Sequence, residues 1–229
     1  MEERTSLIYE GGHGAGRVAE FCWNLVGKKV VLAATGLVLY GWIVAHMVGN
    51  LLVFLGPATF NGYAGFLKGT VELLWIERAV GCVALLLHIL AAAQVTIANW
   101  RARPVGYAVR KDVATGYAAR TMIWTGPLVF LYIIYHLMMF TFLTTGPGYS
   151  QTDVYRNVVL AFRVPAISAT YVVAMVILGV HLHHGVWSML QTLGLEWSGR
   201  RRAVPVLTAL TVAGGFILVP VAVMTGLIG

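Results

Sequence analysis

Charged residues are scarce in this sequence. Asp, Glu, Lys and Arg make up only 11% of the 229 residues, whereas a soluble globular protein usually carries about 25%. With 59% hydrophobic residues and a mean hydropathy of +0.78, the surface of this chain could not be kept in water, which argues against a soluble enzyme. The same apolar content argues against a disordered protein, because there is ample hydrophobic surface to bury.

Cysteine is also scarce. Cys22 and Cys82 are the only two, they lie far apart, and no CxxCH motif is present. These absences exclude a disulfide framework and the covalent attachment of a c-type haem. The first residues, Met-Glu-Glu-Arg, are not followed by an early apolar core, so we expect no cleavable signal peptide.

Five long stretches contain no charged residue at all. Each exceeds the roughly 20 residues that cross about 30 Å of hydrocarbon, and a chain in lipid must satisfy its backbone polar groups internally. We therefore predict an all-α integral membrane bundle of five transmembrane helices, at 30–55, 79–100, 121–145, 164–190 and 204–228. Residues 1–29 would form a cytoplasmic N-terminal tail, and residues 30–229 the transmembrane domain.

Lysine and arginine are distributed unevenly around these spans. Twelve of the 16 lie in the N-terminal tail or in the loops after the second and fourth spans, and four lie on the opposite side. The positive-inside rule predicts that the N-terminus is cytoplasmic and the C-terminus outside. We expect the membrane to be a bacterial or archaeal cytoplasmic membrane. This distribution accounts for the net charge of +7 without a nucleic-acid partner.

Histidine, in contrast, is concentrated in the spans. Six of the seven histidines lie there, namely His46, His88, His136, His181, His183 and His184. A strongly polar side chain in hydrocarbon is costly and indicates function by default, although a single one can simply make an interhelical hydrogen bond. One deep histidine on each of four consecutive spans indicates more than helix packing.

Haem b is the group that fits this pattern best. A zinc site would normally add cysteine or carboxylate ligands, and a proton relay would interleave Asp or Glu, which the spans lack. The iron of haem b takes two axial imidazoles, and its large apolar ring is accommodated between helices. Glycines such as Gly36 and Gly126 would allow a ring or a neighbouring helix to approach closely. Four spans with one ligand each therefore predict two bis-histidine haems.

Depth in the membrane predicts how the four ligands pair. His46 and His136 follow the cytoplasmic ends of outward-running spans by 16 or 17 residues, which at 1.5 Å per residue places both toward the outer face. His88 and His181 lie nearer the cytoplasm on inward-running spans. We call His46 with His136 the outer pair and His88 with His181 the inner pair. Haems held by both pairs would carry electrons across the bilayer.

The fourth span offers three candidate ligands within four residues. His181 and His184 are three residues apart and share a helix face, whereas His183 points away from them. We expect one of His181 and His184 to bind the inner haem iron and the other to line the pocket or contact a propionate. His183 is expected to hydrogen-bond a neighbouring helix.

Several short motifs around these histidines resemble one family. They are His46-Met-Val-Gly-Asn50 followed by Phe60-Asn61, Glu77-Arg78 leading to His88, Arg120 leading to His136, and His181-Leu-His-His-Gly185-Val-Trp187-Ser188. Between about residues 35 and 194 the chain resembles the five-helix, two-haem cytochrome b membrane-anchor subunit of succinate dehydrogenases and quinol:fumarate reductases. The resemblance favours His181 over His184 as the ligand, since in the nearest family pattern the ligand stands four residues before that glycine.

The resemblance implies a subunit of a respiratory-chain complex that serves the tricarboxylic acid cycle. A flavoprotein subunit would interconvert succinate and fumarate, and an iron–sulfur subunit would pass electrons to this chain, which would not oxidise succinate alone. The cofactors would be two haems b on the outer and inner pairs. A membrane quinone, with menaquinone expected, would be the substrate.

Three further positions matter for this comparison. Arg120, at the inner end of the third span, is a candidate partner for a haem propionate through charge-assisted hydrogen bonds. Asn61 stands where some quinol:fumarate reductases carry a glutamate that handles quinol protons. Glu72 and Glu77 lie further on and could relay protons or pair with Arg78.

The alternatives come from two classes. Other quinone-linked cytochromes b, including the anchors of hydrogenases and formate dehydrogenases, place two ligands on one helix, whereas this pattern places one on each. A haem-free transporter or channel would show charged pathway residues and broken helices at the midplane. The fifth span has Gly214-Gly215 and Pro220 but neither charge nor histidine, so we expect it to serve packing.

Overall fold

A computed structural model describes residues 24–102, 117–145, 148–195 and 203–229, without the side chains of 117–120. Within these ranges the chain forms helices and no strand. The seven α-helices are α1 (Leu25–Leu51), α2 (Pro57–Gly69), α3 (Val71–Arg101), α4 (Tyr117–Phe140), α5 (Val154–Phe162), α6 (Pro165–Thr192) and α7 (Ala203–Met224). A short 3-10 turn at Leu52–Leu55 joins α1 to α2.

Five of these helices are long and apolar enough to cross a membrane. They cover Leu25–Leu55, Val71–Arg101, Thr121–Phe140, Pro165–Thr192 and Ala203–Met224. Large apolar side chains are exposed along them, including Leu86, Leu131 and Leu210, as expected where lipid rather than water surrounds the bundle. The predicted all-α membrane bundle of five spans is confirmed.

The helix ends differ from the charge-free stretches. Helix α1 begins at Leu25, where Asn24 Oδ1 accepts a hydrogen bond of 2.8 Å from the Gly27 amide, so part of the predicted tail is helical or caps the helix. Helix α3 begins at Val71 rather than at 79. The helix therefore includes Glu72, Glu77 and Arg78. These residues are tolerated near the end of a span because long charged side chains can extend to the membrane interface.

The short helices α2 and α5 were not predicted, and they form a cap over one end of the bundle. Asn61 joins them, since its Nδ2 donates to Asp153 Oδ1 and its Oδ1 accepts from the Tyr155 amide, both at 2.9 Å. Asp153 also caps α5 by accepting from the Arg156 amide at 3.0 Å. The Arg156 amide and the Asn61 side chain hold the pKa of the Asp153 carboxyl below its ordinary value.

Helix α6 is the centre of the packing. It packs most extensively against α7 and α4 and also touches α1, while α1 packs along α3. A Cβ added at Gly179 of α6 would lie 3.2 Å from Ala213 Cβ on α7, so glycine is what lets these two helices approach. Helices α3 and α4 hardly touch each other within the described residues. The bundle therefore consists of an α1–α3 pair facing an α4–α6–α7 layer.

Candidate functional site

The four deep histidines meet as two pairs across the interface between these layers. The ring centres of His46 on α1 and His136 on α4 are 5.8 Å apart. Those of His88 on α3 and His181 on α6 are 6.5 Å apart. The structure thus brings together the same outer and inner pairs that were inferred from depth alone.

These separations are close to that of two imidazoles that share one metal ion. An imidazole nitrogen binds a transition metal at about 2.0–2.1 Å, so with about 1.1 Å from each nitrogen to its ring centre, ligands on opposite sides have centres about 6.2–6.4 Å apart. The inner pair, at 6.5 Å, lies just above this range, and the outer pair, at 5.8 Å, lies below it, so the outer rings would have to move apart by about half an ångström to share a metal ion. No group of three or more His, Cys, Asp or Glu side chains that could hold a metal occurs in the described part of the chain. A group that supplies four equatorial ligands itself, as haem does, fits a site with two protein donors.

The two pairs lie at different levels along the bundle axis. Thr35 on α1 and Thr125 on α4 hydrogen-bond the inner histidines, so these threonines mark the inner level on their own helices. His46 and His136 each follow their threonine by 11 residues, a rise of about 16 Å. The spacing on α1 and the spacing on α4 therefore give the same distance between the inner and outer pairs. The outer pair lies nearer the cap.

The inner pair is held by hydroxyl groups. Thr35 Oγ1 lies 3.2 Å from His88 Nδ1, and Thr125 Oγ1 lies 3.3 Å from His181 Nδ1. Both contacts leave the Nε2 atoms without a described hydrogen bond. A metal-binding histidine is typically fixed in this way, with its second ring nitrogen hydrogen-bonded to an outer partner.

The outer pair has an aromatic environment instead. His136 Nδ1 lies 3.3 Å from the Tyr171 hydroxyl, and the rings of Tyr132 and Phe140 pack against it. The His46 ring stacks on Trp42 at 5.1 Å between ring centres. Such a site is apolar enough to bury a large planar ring.

Two polar contacts bear on His46. Asn50 Nδ2 donates to the His46 backbone carbonyl at 2.8 Å and also lies 3.3 Å from His46 Nε2. Metal binding through Nε2 would replace the longer contact. Trp42 Nε1 donates to Glu77 Oε2 at 2.8 Å, so this carboxylate holds the indole that stacks on His46.

Two glycines lie beside the inner rings. A Cβ added at Gly36 would be 3.4 Å from His88 Cε1, and one added at Gly126 would be 3.8 Å from His181 Cε1. These are ordinary van der Waals distances, so the two glycines lie next to the inner rings without being required by them.

The remaining candidates lie outside the pairs. His184 and His183 make neither a ring contact nor a hydrogen bond within the described part of the chain, and it is His181 that faces His88. The side chain of Arg120 lies outside the described residues, so its predicted role at a propionate stays a prediction. Asn61 belongs to the cap, where both its side-chain atoms are used.

Sequence reasoning missed the threonines. The signal was a Thr-Gly pair eleven residues before a histidine in both the first and the third span, Thr35-Gly36 before His46 and Thr125-Gly126 before His136. Threonine is common in membrane helices as a backbone-bonded residue, and only the fold shows that these two also reach histidines on other helices.

No protein-family model matches the chain, and neither a curated protein nor a solved structure matches it.

Proposed function

We propose that this chain is the membrane-anchor cytochrome b subunit of a succinate:quinone oxidoreductase. The observation that carries the proposal is the meeting of four histidines from four helices as two pairs, 5.8 and 6.5 Å between ring centres. Each pair would hold one haem b, His46 with His136 for one and His88 with His181 for the other. When bound, haem b supplies a one-electron carrier that the side chains of the spans lack.

The role of the protein itself would be to hold the two haems in place and to surround them with apolar side chains. The histidines fix two sites about 16 Å apart along the bundle, and the spans around them carry no Asp, Lys or Arg between residues 79 and 100 or 121 and 145. The apolar side chains of these spans would keep water away from both levels. Two sites stacked along the bundle are what an electron path between membrane faces requires.

The distribution of lysine and arginine supports an orientation with the N-terminus in the cytoplasm. The outer pair would then lie near the outer face, and moving an electron between levels would work with or against the membrane potential, about 2.3 kcal/mol per charge for each 100 mV. Membrane potential would thereby assist or oppose reduction of a quinone such as menaquinone.

The proposal implies partners. An iron–sulfur subunit would deliver or receive electrons at the cytoplasmic end, and a flavoprotein subunit would interconvert succinate and fumarate. This chain would not perform that conversion itself. The complex would reside in a bacterial or archaeal cytoplasmic membrane, with lipid against the exposed apolar faces of the spans.

The direct test is the amount of haem b per polypeptide. The complex is purified in detergent through a tag on this chain, haem b is measured as its pyridine haemochrome, and the chain is quantified by amino-acid analysis. We expect two haems per chain, with succinate-dependent reduction when the partner subunits co-purify. One haem would reduce one pair to a structural role. No haem in an intact preparation would refute the cytochrome proposal and favour a haem-free transporter.

A further inference from the structure

The inner histidines are held by a repeated arrangement. In each case a threonine on one span contacts the Nδ1 atom of a histidine on the next, Thr35 with His88 and Thr125 with His181. The outer histidines lack it, since His136 Nδ1 meets a tyrosine and His46 has no threonine partner among the described residues.

The hydroxyl of Thr35 settles where the proton of this contact lies. Thr35 Oγ1 is 2.7 Å from the Val31 carbonyl oxygen. The Leu32 carbonyl and His88 Nδ1 both lie 3.2 Å from the same hydroxyl, so the Val31 carbonyl is the nearest acceptor and takes the single hydroxyl proton. The oxygen of Thr35 is then an acceptor for His88, which puts a proton on His88 Nδ1. Because a neutral imidazole carries one N–H, His88 Nε2 is left with its lone pair.

Thr125 repeats the pattern with a longer bond. Its hydroxyl lies 3.4 Å from the Met122 carbonyl and 3.8 Å from Met122 Sδ, and both atoms can only accept. His181 Nδ1 lies at 3.3 Å, about as near as these two acceptors, so at Thr125 the donation from His181 Nδ1 is part of the proposal and is assigned by analogy with Thr35. Both inner histidines then have a free Nε2, the form in which imidazole binds a metal.

We propose that Thr35 and Thr125 are positioning residues that hold His88 and His181 as Nδ1–H tautomers, each with Nε2 as the ligand atom for one shared haem iron. The proposal rests on the proposed cytochrome function and concerns the inner pair alone. The threonines would not touch the haem iron. They would act through the histidines, by fixing the proton and the rotation of each ring.

Helix geometry explains why one span serves both levels. Eleven residues separate Thr35 from His46 and Thr125 from His136, which is about three turns at 3.6 residues per turn. The threonine and the histidine therefore lie on the same face of their helix, about 16 Å apart. Each of α1 and α4 thus supplies an outer ligand and a support for an inner ligand.

The direction of the effect follows from the hydrogen bond. An acceptor on Nδ1–H raises the basicity of the imidazole, which favours the oxidised metal. Replacing a threonine with valine keeps the shape and removes the acceptor. We expect the midpoint potential of the inner haem to rise and its affinity for the site to fall on the order of 10-fold, with the outer haem unchanged.

The test compares Thr35→Val and Thr125→Val with the serine variants at the same positions, in the complete complex. Thr192→Val is the matched control, because within the described residues the Thr192 hydroxyl on α6 bonds the Ser188 carbonyl alone. The measurements are haem b per chain, the two midpoint potentials from a redox titration, and the low-spin EPR signals. We expect each valine variant to shift or lose only the inner haem, and each serine variant and Thr192→Val to match the unmodified complex.

The outcomes separate this proposal from the one on which it rests. An unmodified complex without haem refutes the cytochrome function itself. Two haems whose potentials and EPR signals are the same in the unmodified, valine and serine forms overturn the positioning role and leave the function intact. If the valine variants do not accumulate, the serine variants decide, since a serine form with an altered inner haem would also overturn the proposal.

Discussion

Replacing His88 with alanine should remove one of two haems and leave the other untouched. Helix α3 carries no second histidine, and the outer pair lies about 16 Å away, beyond the reach of any side chain at the inner level. The haem count should therefore fall from two to one per chain. Removing the second histidine of the same pair should cause no further loss of haem, so the double variant His88→Ala/His181→Ala should also keep one haem. The double variant His46→Ala/His88→Ala, which disrupts both pairs, should keep none.

The same set decides between two ligands on α6. His184 lies one turn beyond His181 and could replace it, whereas His88 is the single histidine of α3. If His181→Ala retains two haems and His184→Ala retains one, His184 is the ligand. His183→Ala is the control, because His183 makes no described hydrogen bond, and it should keep both haems.

Pyridine haemochrome on the detergent-purified complex gives the count, and redox titration shows which haem is lost. The pairing requires His46→Ala and His136→Ala to lose the same component, and His88→Ala to lose the other. Loss of different components from the two outer variants would refute the reasoning from depth and from ring separation together.

Two further predictions concern stability. Gly179→Ala should lower the melting temperature of the chain in detergent, because its Cβ would lie 3.2 Å from Ala213 Cβ and overpacking costs about 1–3 kcal/mol. Gly185→Ala is the control, since it lies on the same helix, gains the same helix propensity and has no atom within 4 Å of an added Cβ. Equal melting temperatures for the two variants would contradict the close packing of α6 on α7. Asp153→Asn should destabilise the cap near neutral pH. The folded pKa of Asp153 is lowered, so its contribution is present above the unfolded value of about 3.9 and is lost as the pH falls through the folded value. The difference in melting temperature between Asp153→Asn and the unmodified chain should therefore shrink as the pH falls from 7 to about 3, and a constant difference would argue against the charge.

Much of the bundle could be predicted because the membrane imposes its own rule. Every residue between 121 and 145, for example, is uncharged, and only a helix satisfies the backbone in hydrocarbon. Depth could be predicted for the same reason, since the rise per residue is fixed and basic residues mark one face. His46 and His136 could thus be matched in depth before any contact was known.

The cap could not be predicted in this way. Residues 57–69 and 154–162 are too short or too mixed to cross a membrane, and nothing in their sequence says that Asn61 meets Asp153 from 92 positions away. The helical extension of α3 to Val71 was missed for a related reason. Absence of charge marks the hydrocarbon segment, whereas a helix continues wherever its backbone bonds continue.

Hydrophobicity and the fixed rise of a helix were enough to predict the number of spans and the two levels at which the histidines pair. Only the packed bundle shows which faces of the helices meet. That choice depends on side-chain packing between elements far apart in the chain, such as Gly179 against Ala213. It brought His88 opposite His181 rather than His184, and it placed the hydroxyl oxygens of Thr35 and Thr125 3.2 and 3.3 Å from the Nδ1 atoms of the inner histidines.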